Sequence, residues 1–175
     1  MLDGQFRGHL VSDFYGGYNQ YAGRHQRCWV HLLRDLHTLK EAFPQDESVQ
    51  AWAQAVRATY DAAQTQTWLR AHAQAPSAGR EAEYVSLTSQ TPALGLRYAG
   101  EKAHPCQALA KRLLRHEDEL FQFVLAPGLS ADNNLAERAI RPLVMIRKIS
   151  GGSRSTVGTK TRMVLDRLFH TWQVL

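Results

Sequence analysis

No run of 18 apolar residues occurs in the sequence, so it offers no membrane-spanning helix. Its opening, Met-Leu-Asp-Gly-Gln-Phe-Arg, has no apolar stretch of the kind a secretory signal needs. Cysteine is scarce: Cys28 and Cys106 are the only two, too few for a disulfide framework. Together these absences predict a cytoplasmic protein. A nucleotide-binding loop is missing as well. Residues 149–160, Ile-Ser-Gly-Gly-Ser-Arg-Ser-Thr-Val-Gly-Thr-Lys, have the glycines and hydroxyls but not the Walker A spacing. They read either as a plain flexible loop or as a source of backbone donors for phosphate.

What is present suffices for a folded domain. A chain of 175 residues, 44% hydrophobic and 21% charged, can bury a real core and still carry an insertion. The net charge of +5 is unevenly placed. From Asp132 onward, eight basic residues (Arg138, Arg141, Arg147, Lys148, Arg154, Lys160, Arg162, Arg167) face three acids (Asp132, Glu137, Asp166). The residues before Asp132 therefore carry none of the excess. Such a segment points to a polyanion partner or to a solvated basic tail.

Near the start, Phe6, Leu10 and Val11 give a short strand signal over residues 5–12, broken by Gly8. Asp13 follows, then a Gly- and aromatic-rich turn, Phe-Tyr-Gly-Gly-Tyr-Asn-Gln-Tyr, leading into a short helix. An acid at the C-terminal end of a strand is where open α/β sheets place functional groups; the same Asp could simply cap the next segment. Residues 26–30 read as a second strand, and His31–Phe43 as a helix with Leu32, Leu36, Leu39 and Phe43 on one face. Cys28 and His31 form half of a zinc spacing, with His25 and His37 nearby. Four ligands would have to cross a strand–helix boundary, so a buried Cys28 and a hydrogen-bonded His31 are the plainer expectation.

Residues 44–126 read as all-helical. Val49, Trp52, Val56, Tyr60 and Ala63 keep helical spacing, and Pro76, Ser77 and Gly79 mark a loop. Pro92, Gly95 and Gly100 are expected to break the next stretch. After Pro105 one helix is expected, with an apolar stripe of Cys106, Leu109, Ala110, Leu113, Leu114, Leu120, Phe121 and Val124. Pro127-Gly128 ends it.

The stretch Ala131–Lys148 organises the rest. Asn134 is placed to cap a helix, with Glu137 three residues on, and Leu135, Ala139 and Leu143 on one face. Pro142 is expected to bend or end that helix near Arg141. Glu137 is either a capping acid, half of a surface pair with Arg141, or a metal-binding carboxylate flanked by phosphate-binding arginines. A last amphipathic helix is expected over residues 161–173, carrying Met163, Val164, Leu168 and Trp172.

Two motifs carry a resemblance across nearly the whole chain. Ser12-Asp-Phe-Tyr-Gly-Gly-Tyr18 and Asp132-Asn-Asn-x-Ala-Glu137-Arg-x-x-Arg-Pro142 resemble the catalytic region of a bacterial insertion-sequence transposase of the DDE type, in the family named after insertion sequence 66. The resemblance implies an α/β fold: a partial ribonuclease-H-like core made of residues 1–43 and 127–175, interrupted by an all-helical insertion over 44–126. It makes Asp13 the second acid of the triad, Glu137 the third, and Cys28 and His31 the structural Cys-x-x-His element. The first acid is expected upstream of residue 1, since only Asp3 precedes Asp13 and its context is wrong. The implied chemistry is Mg²⁺-dependent DNA strand cleavage and transfer, with two ions about 3.5–4 Å apart. Arg138, Arg141, Arg147, Lys148 and Arg154 would hold DNA phosphates. The implied partners are transposon ends and target DNA, together with either a second copy of the chain or a missing N-terminal segment. The alternative is a non-catalytic DNA-binding remnant that interferes with a full-length transposase. A plain helical protein with a basic tail is the third reading. In the first reading the chain alone, short of one acid, does not transpose DNA.

Because the charge excess lies after Ala131, nonspecific DNA affinity is expected to fall steeply with salt. Neutralising Arg138, Arg141, Arg147 and Lys148 together should flatten the slope of log affinity against log salt by about three to four. Fluorescence anisotropy with a labelled duplex at several salt concentrations measures this. An unchanged slope would place the DNA-binding face elsewhere.

Overall fold

The first regular element is β1, Leu10–Ser12, paired in parallel with β2, His25–Arg27. Leu10 stands opposite His25, Val11 opposite Gln26 and Ser12 opposite Arg27. Parallel neighbours need a connection of about a dozen residues or more, and Asp13–Arg24 supplies it. A 3-10 turn, Gly16–Gln20, fills its middle. Tyr21 ties it back, its hydroxyl donating to the Gly8 carbonyl at 2.6 Å. This computed structural model describes residues 6–72, 79–151 and 155–174. They are mostly helical, and among them the sheet has two strands. The chain divides into two units, Met1–Asp132 and Asn133–Leu175.

The second strand is shorter than expected. Trp29 and Val30 already belong to α1, Trp29–Ala42. Cys28 is the last extended residue, its amide donating to the Ser12 carbonyl at 2.8 Å. Trp29 leaves the sheet because its ring is needed in the helical core, where it packs on Tyr60 and Phe121. Its indole N–H donates to the Leu120 carbonyl at 2.6 Å. Leu32 and Leu36 are buried as their spacing predicts, whereas Phe43, the helix's last expected contact, is exposed.

In α2, Glu47–His72, the expected face is observed: Val49, Trp52, Val56 and Ala63 are buried and Tyr60 packs against them. Pro76 and Ser77 lie outside the described residues. Gly79 adopts φ 103°, a left-handed conformation open to glycine, and leads into α3, Arg80–Ala99. The expected break does not occur, and Pro92 lies inside a continuous α3. Tertiary packing overrides the proline here. Leu87, Thr91 and Tyr98 are buried, and the Trp52 indole donates to the Leu94 carbonyl at 2.8 Å. Gly95 acts as a close-packing site rather than a breaker. A Cβ there would stand 2.6 Å from Leu114 Cγ and 3.1 Å from the Ala110 carbonyl oxygen, so α3 and α4 approach through it.

The single helix expected after Pro105 is three: α4, Gln107–Arg115, α5, Glu117–Leu120, and α6, Gln122–Leu125. The breaks fall at His116 and Phe121, which take φ near −120° with ψ near zero. Their effect is to release backbone groups from the helical ladder. The Leu120 carbonyl accepts from both Gln26 Nε2, at 3.0 Å, and Trp29 Nε1. The Phe123 amide donates to Gln26 Oε1 at 2.8 Å. Gln26 Nε2 also reaches the Arg27 carbonyl at 2.7 Å, so this wholly buried amide is satisfied at both ends.

The second unit holds α7, Asn134–Ser150, and α8, Thr156–Val174. Pro142 does not end α7, which runs eight residues past it to Ser150. Gly151 closes the helix in the left-handed conformation, φ 67°. Leu135 and Ala139 are exposed, and the Leu143 side chain lies outside the described residues. α8 begins at Thr156, earlier than its apolar pattern suggests. No helix among the described residues is long and apolar enough to cross a membrane.

Gln26→Met keeps the volume but strands the Phe123 amide. The expected loss is about 1–3 kcal/mol of unfolding free energy, the cost of an unmet buried donor. Urea denaturation followed by circular dichroism reads it. A midpoint equal to wild type would mean that the α5–α6 junction reaches water.

Candidate active site

Asp13 stands directly after β1, half-buried. Its Oδ1 accepts the Tyr15 amide at 3.0 Å, the Asx turn that a short acid makes with its own chain. Its backbone carbonyl accepts from Arg27 Nη1 at 3.0 Å and from the Ser12 hydroxyl at 3.1 Å. The acid stabilises the turn, and it is a strand-end carboxylate held in one orientation.

Arg27 is the group that sequence inspection missed. It is 1% exposed, which for a cation demands a partner. Glu119 provides one, accepting from Arg27 Nε at 2.5 Å. The other arm of the guanidinium reaches Asn19 Oδ1 at 2.6 Å. His116 Nδ1 lies 2.9 Å from the same Glu119 oxygen. Phe14, next to Asp13, sits between the His116 ring, 5.5 Å away centre to centre, and the Arg112 guanidinium, 4.8 Å from its centroid. Arg112 also pairs with Asp35 on α1. The signal available in the sequence was a charged residue in an otherwise buried strand. Its acid is 92 residues away, beyond the reach of local patterns.

Burial by itself would raise the Glu119 carboxyl. The hydrogen bonds from His116 and Arg27, together with the two positive charges, outweigh it and hold the group down to about 2. Cys28 is fully buried and caps the start of α1, and His31 is half-buried in its first turn. His37 points outward beside Glu41, 3.4 Å away, and His25 Nε2 lies 2.9 Å from the Tyr21 carbonyl.

Glu137 occupies the first turn of α7 in the second unit. The cap is Asn133 rather than Asn134, because the first intrahelical bond runs from the Glu137 amide to the Asn133 carbonyl, at 3.0 Å. Glu137 consequently sits one residue past the capping-box position, and the Asn133 side chain makes no capping hydrogen bond. Arg138, Arg141 and Lys148 are exposed along the same helix. The Arg147 side chain and the whole of Arg154 lie outside the described residues. Among the described residues no group of three or more His, Cys, Asp or Glu side chains is gathered to hold a metal. Asp13 and Glu137 are nonetheless hard oxygen donors, the type that Mg²⁺ takes from proteins in ones and twos.

The sequence model of the Transposase IS66 family matches residues 1–161. The chain belongs to the IS66 transposase family. It is also 30% identical over 167 residues to the uncharacterized protein y4jO of Sinorhizobium fredii (strain NBRC 101917 / NGR234). That match covers 95% of this chain and 48% of y4jO, so the chain spans about half the length of this relative. No solved structure matches it.

The depressed carboxyl of Glu119 is expected to make this IS66 member acid-sensitive. An unfolded Glu titrates near ~4.3, so below that the unfolded state binds a proton that the folded state refuses. The pair's contribution is complete above about pH 4.5 and drains away as pH falls towards 2. Near-ultraviolet circular dichroism across this range should show tertiary structure lost in wild type over that window. Glu119→Gln should lack this component, and an identical acid profile in the variant would assign the loss to other carboxyls.

Proposed function

We propose that residues 1–175 form part of the catalytic domain of a DDE-type DNA transposase, acting in Mg²⁺-dependent strand cleavage and transfer. In this reading residues 1–43 and 127–175 are segments of a ribonuclease-H-like core and 44–126 is its helical insertion. The observation that carries it is Asp13: a carboxylate immediately after a parallel strand, oriented by its own turn, in a chain matched by the IS66 family over residues 1–161.

The roles divide by chemistry. Asp13 and Glu137 would hold the metal, each through a carboxylate oxygen. When bound, Mg²⁺ pairs activate an attacking oxygen and stabilise the leaving one in displacement at phosphorus. Arg138, Arg141, Arg147, Lys148 and Arg154 would hold DNA phosphates, fixing register without reading bases. Cys28 and His31 would serve structure, at the junction of β2 and α1. A third acid is needed for the triad; Asp3, the only carboxylate ahead of Asp13, lies outside the described residues. Transposon ends and target DNA are the partners, with a second copy of the chain or a further segment completing the assembly.

The test uses the polypeptide as encoded, with the flanking parts of its reading frame, and a supercoiled plasmid carrying the element's ends. Asp13→Asn and Glu137→Gln are each expected to abolish Mg²⁺-dependent cleavage and to leave DNA binding within about twofold, since the phosphate contacts persist. Cleavage that survives Glu137→Gln would return Glu137 to a structural place in α7. DNA binding with no cleavage in any form would favour the non-catalytic, interfering element instead.

A further inference from the structure

The buried charge system behind Asp13 is larger than a turn requires. Arg27 spreads its donors over four acceptors: Glu119 on α5, the Asp13 carbonyl, the Ser12 hydroxyl at 3.4 Å and Asn19 in the 3-10 turn. Only a planar fork with several fixed donors can do this, and a lysine ammonium in the same place could not. The carbonyl of Asp13 is thereby gripped from the β2 side. The next side chain, Phe14, is gripped from the α4 side by Arg112 and His116. The carboxylate itself is held through Oδ1 by Tyr15. Among the described residues no hydrogen bond is made to Asp13 Oδ2, which is left as the donor atom. A metal carboxylate must be held this firmly, because a ligand that wanders gives up affinity.

We propose that Arg27, braced by Glu119 and His116 from the helical segment after Pro105, is the positioning group for Asp13 as a metal ligand. The proposal rests on the reading of Asp13 as a metal-binding carboxylate. It gives the helical insertion a part in the site: α4 and α5 set the orientation of an acid that belongs to the strand pair. Neither Arg27 nor Glu119 touches metal or DNA in this scheme. Both act through the backbone of residues 12–14.

The test is made on the chain itself, ¹⁵N-labelled, titrated with Mn²⁺ at neutral pH. Paramagnetic broadening of the Asp13 and Phe14 amide signals reports a metal near this acid even when binding is weak. Asp13→Asn should remove the local broadening. Glu119→Gln, which keeps Asp13, should require about tenfold more Mn²⁺ for the same broadening. Glu119→Asp, which keeps the charge, should recover most of that loss. Asn19→Ala, at an exposed position, removes one tether of Arg27 and should give a smaller rise. Melting temperatures measured alongside separate this from unfolding, since a purely structural role would move them without moving the Mn²⁺ titration. If Glu119→Gln and Asn19→Ala titrate like wild type while Asp13→Asn is silent, Asp13 is a ligand and the positioning role is wrong. If broadening survives Asp13→Asn, the reading of Asp13 fails and the proposal fails with it. Should Glu119→Gln not fold, the Asn19→Ala arm decides alone.

Discussion

A guanidinium sealed from water dictates much of the first unit. Arg27 has no room to lose its charge, so the surrounding chain must supply acceptors on every side. Glu119 answers the charge, and the Asp13 carbonyl, Ser12 and Asn19 answer the remaining donors. Removing one member of such a set leaves an uncompensated buried charge, which is why pairs of this kind resist piecemeal change. The neighbouring Gln26 solves the same problem for a neutral amide, reaching the backbone on both sides of Phe121. Two successive polar residues in β2, both buried, thus bind the strand pair to α5 and α6.

That arrangement explains why the helices after Pro105 are broken. An unbroken helix would consume the Leu120 carbonyl and the Phe123 amide in its own ladder. The irregular residues His116 and Phe121 release them, and both groups are then used by β2 and α1. The same logic accounts for Trp29 joining α1 instead of the strand, since its indole N–H needs the Leu120 carbonyl. Local backbone irregularity here is the means by which a helical segment serves a sheet.

Periodicity revealed what depends on one face of one element. Val49, Trp52, Val56 and Ala63 in α2, and Leu32 and Leu36 in α1, were legible because an amphipathic helix repeats its apolar positions. The strand before Asp13 was legible for the same local reason. Proline and glycine misled at Pro92, Gly95 and Pro142, where continuous helices were interrupted on paper. Their local cost is real, but packing decides. Gly95 is present because α4 passes too close for a side chain, a fact that belongs to the partner helix. As candidates, Asp13 could be picked out by its place after a strand, and Glu137 by its motif. Arg27, Glu119 and His116 could not, because their meaning lies in each other and they are far apart along the chain.

The span of those contacts has a consequence for the order of assembly. The side chains of β2 find their acceptors 92 and 94 residues further along the chain. A ribosome that has not yet delivered Glu119 has made both strands and the whole of α1 to α4, yet neither the acid that neutralises Arg27 nor the Leu120 and Phe123 backbone groups that satisfy Gln26. Helices form from near neighbours and tolerate waiting, while contacts that close so long a loop come late. The strand pair and the acid at its end are therefore completed from behind, by the last turns of the helical segment. Any truncation ahead of Glu119 leaves the Arg27 that grips the Asp13 carbonyl without its counter-charge.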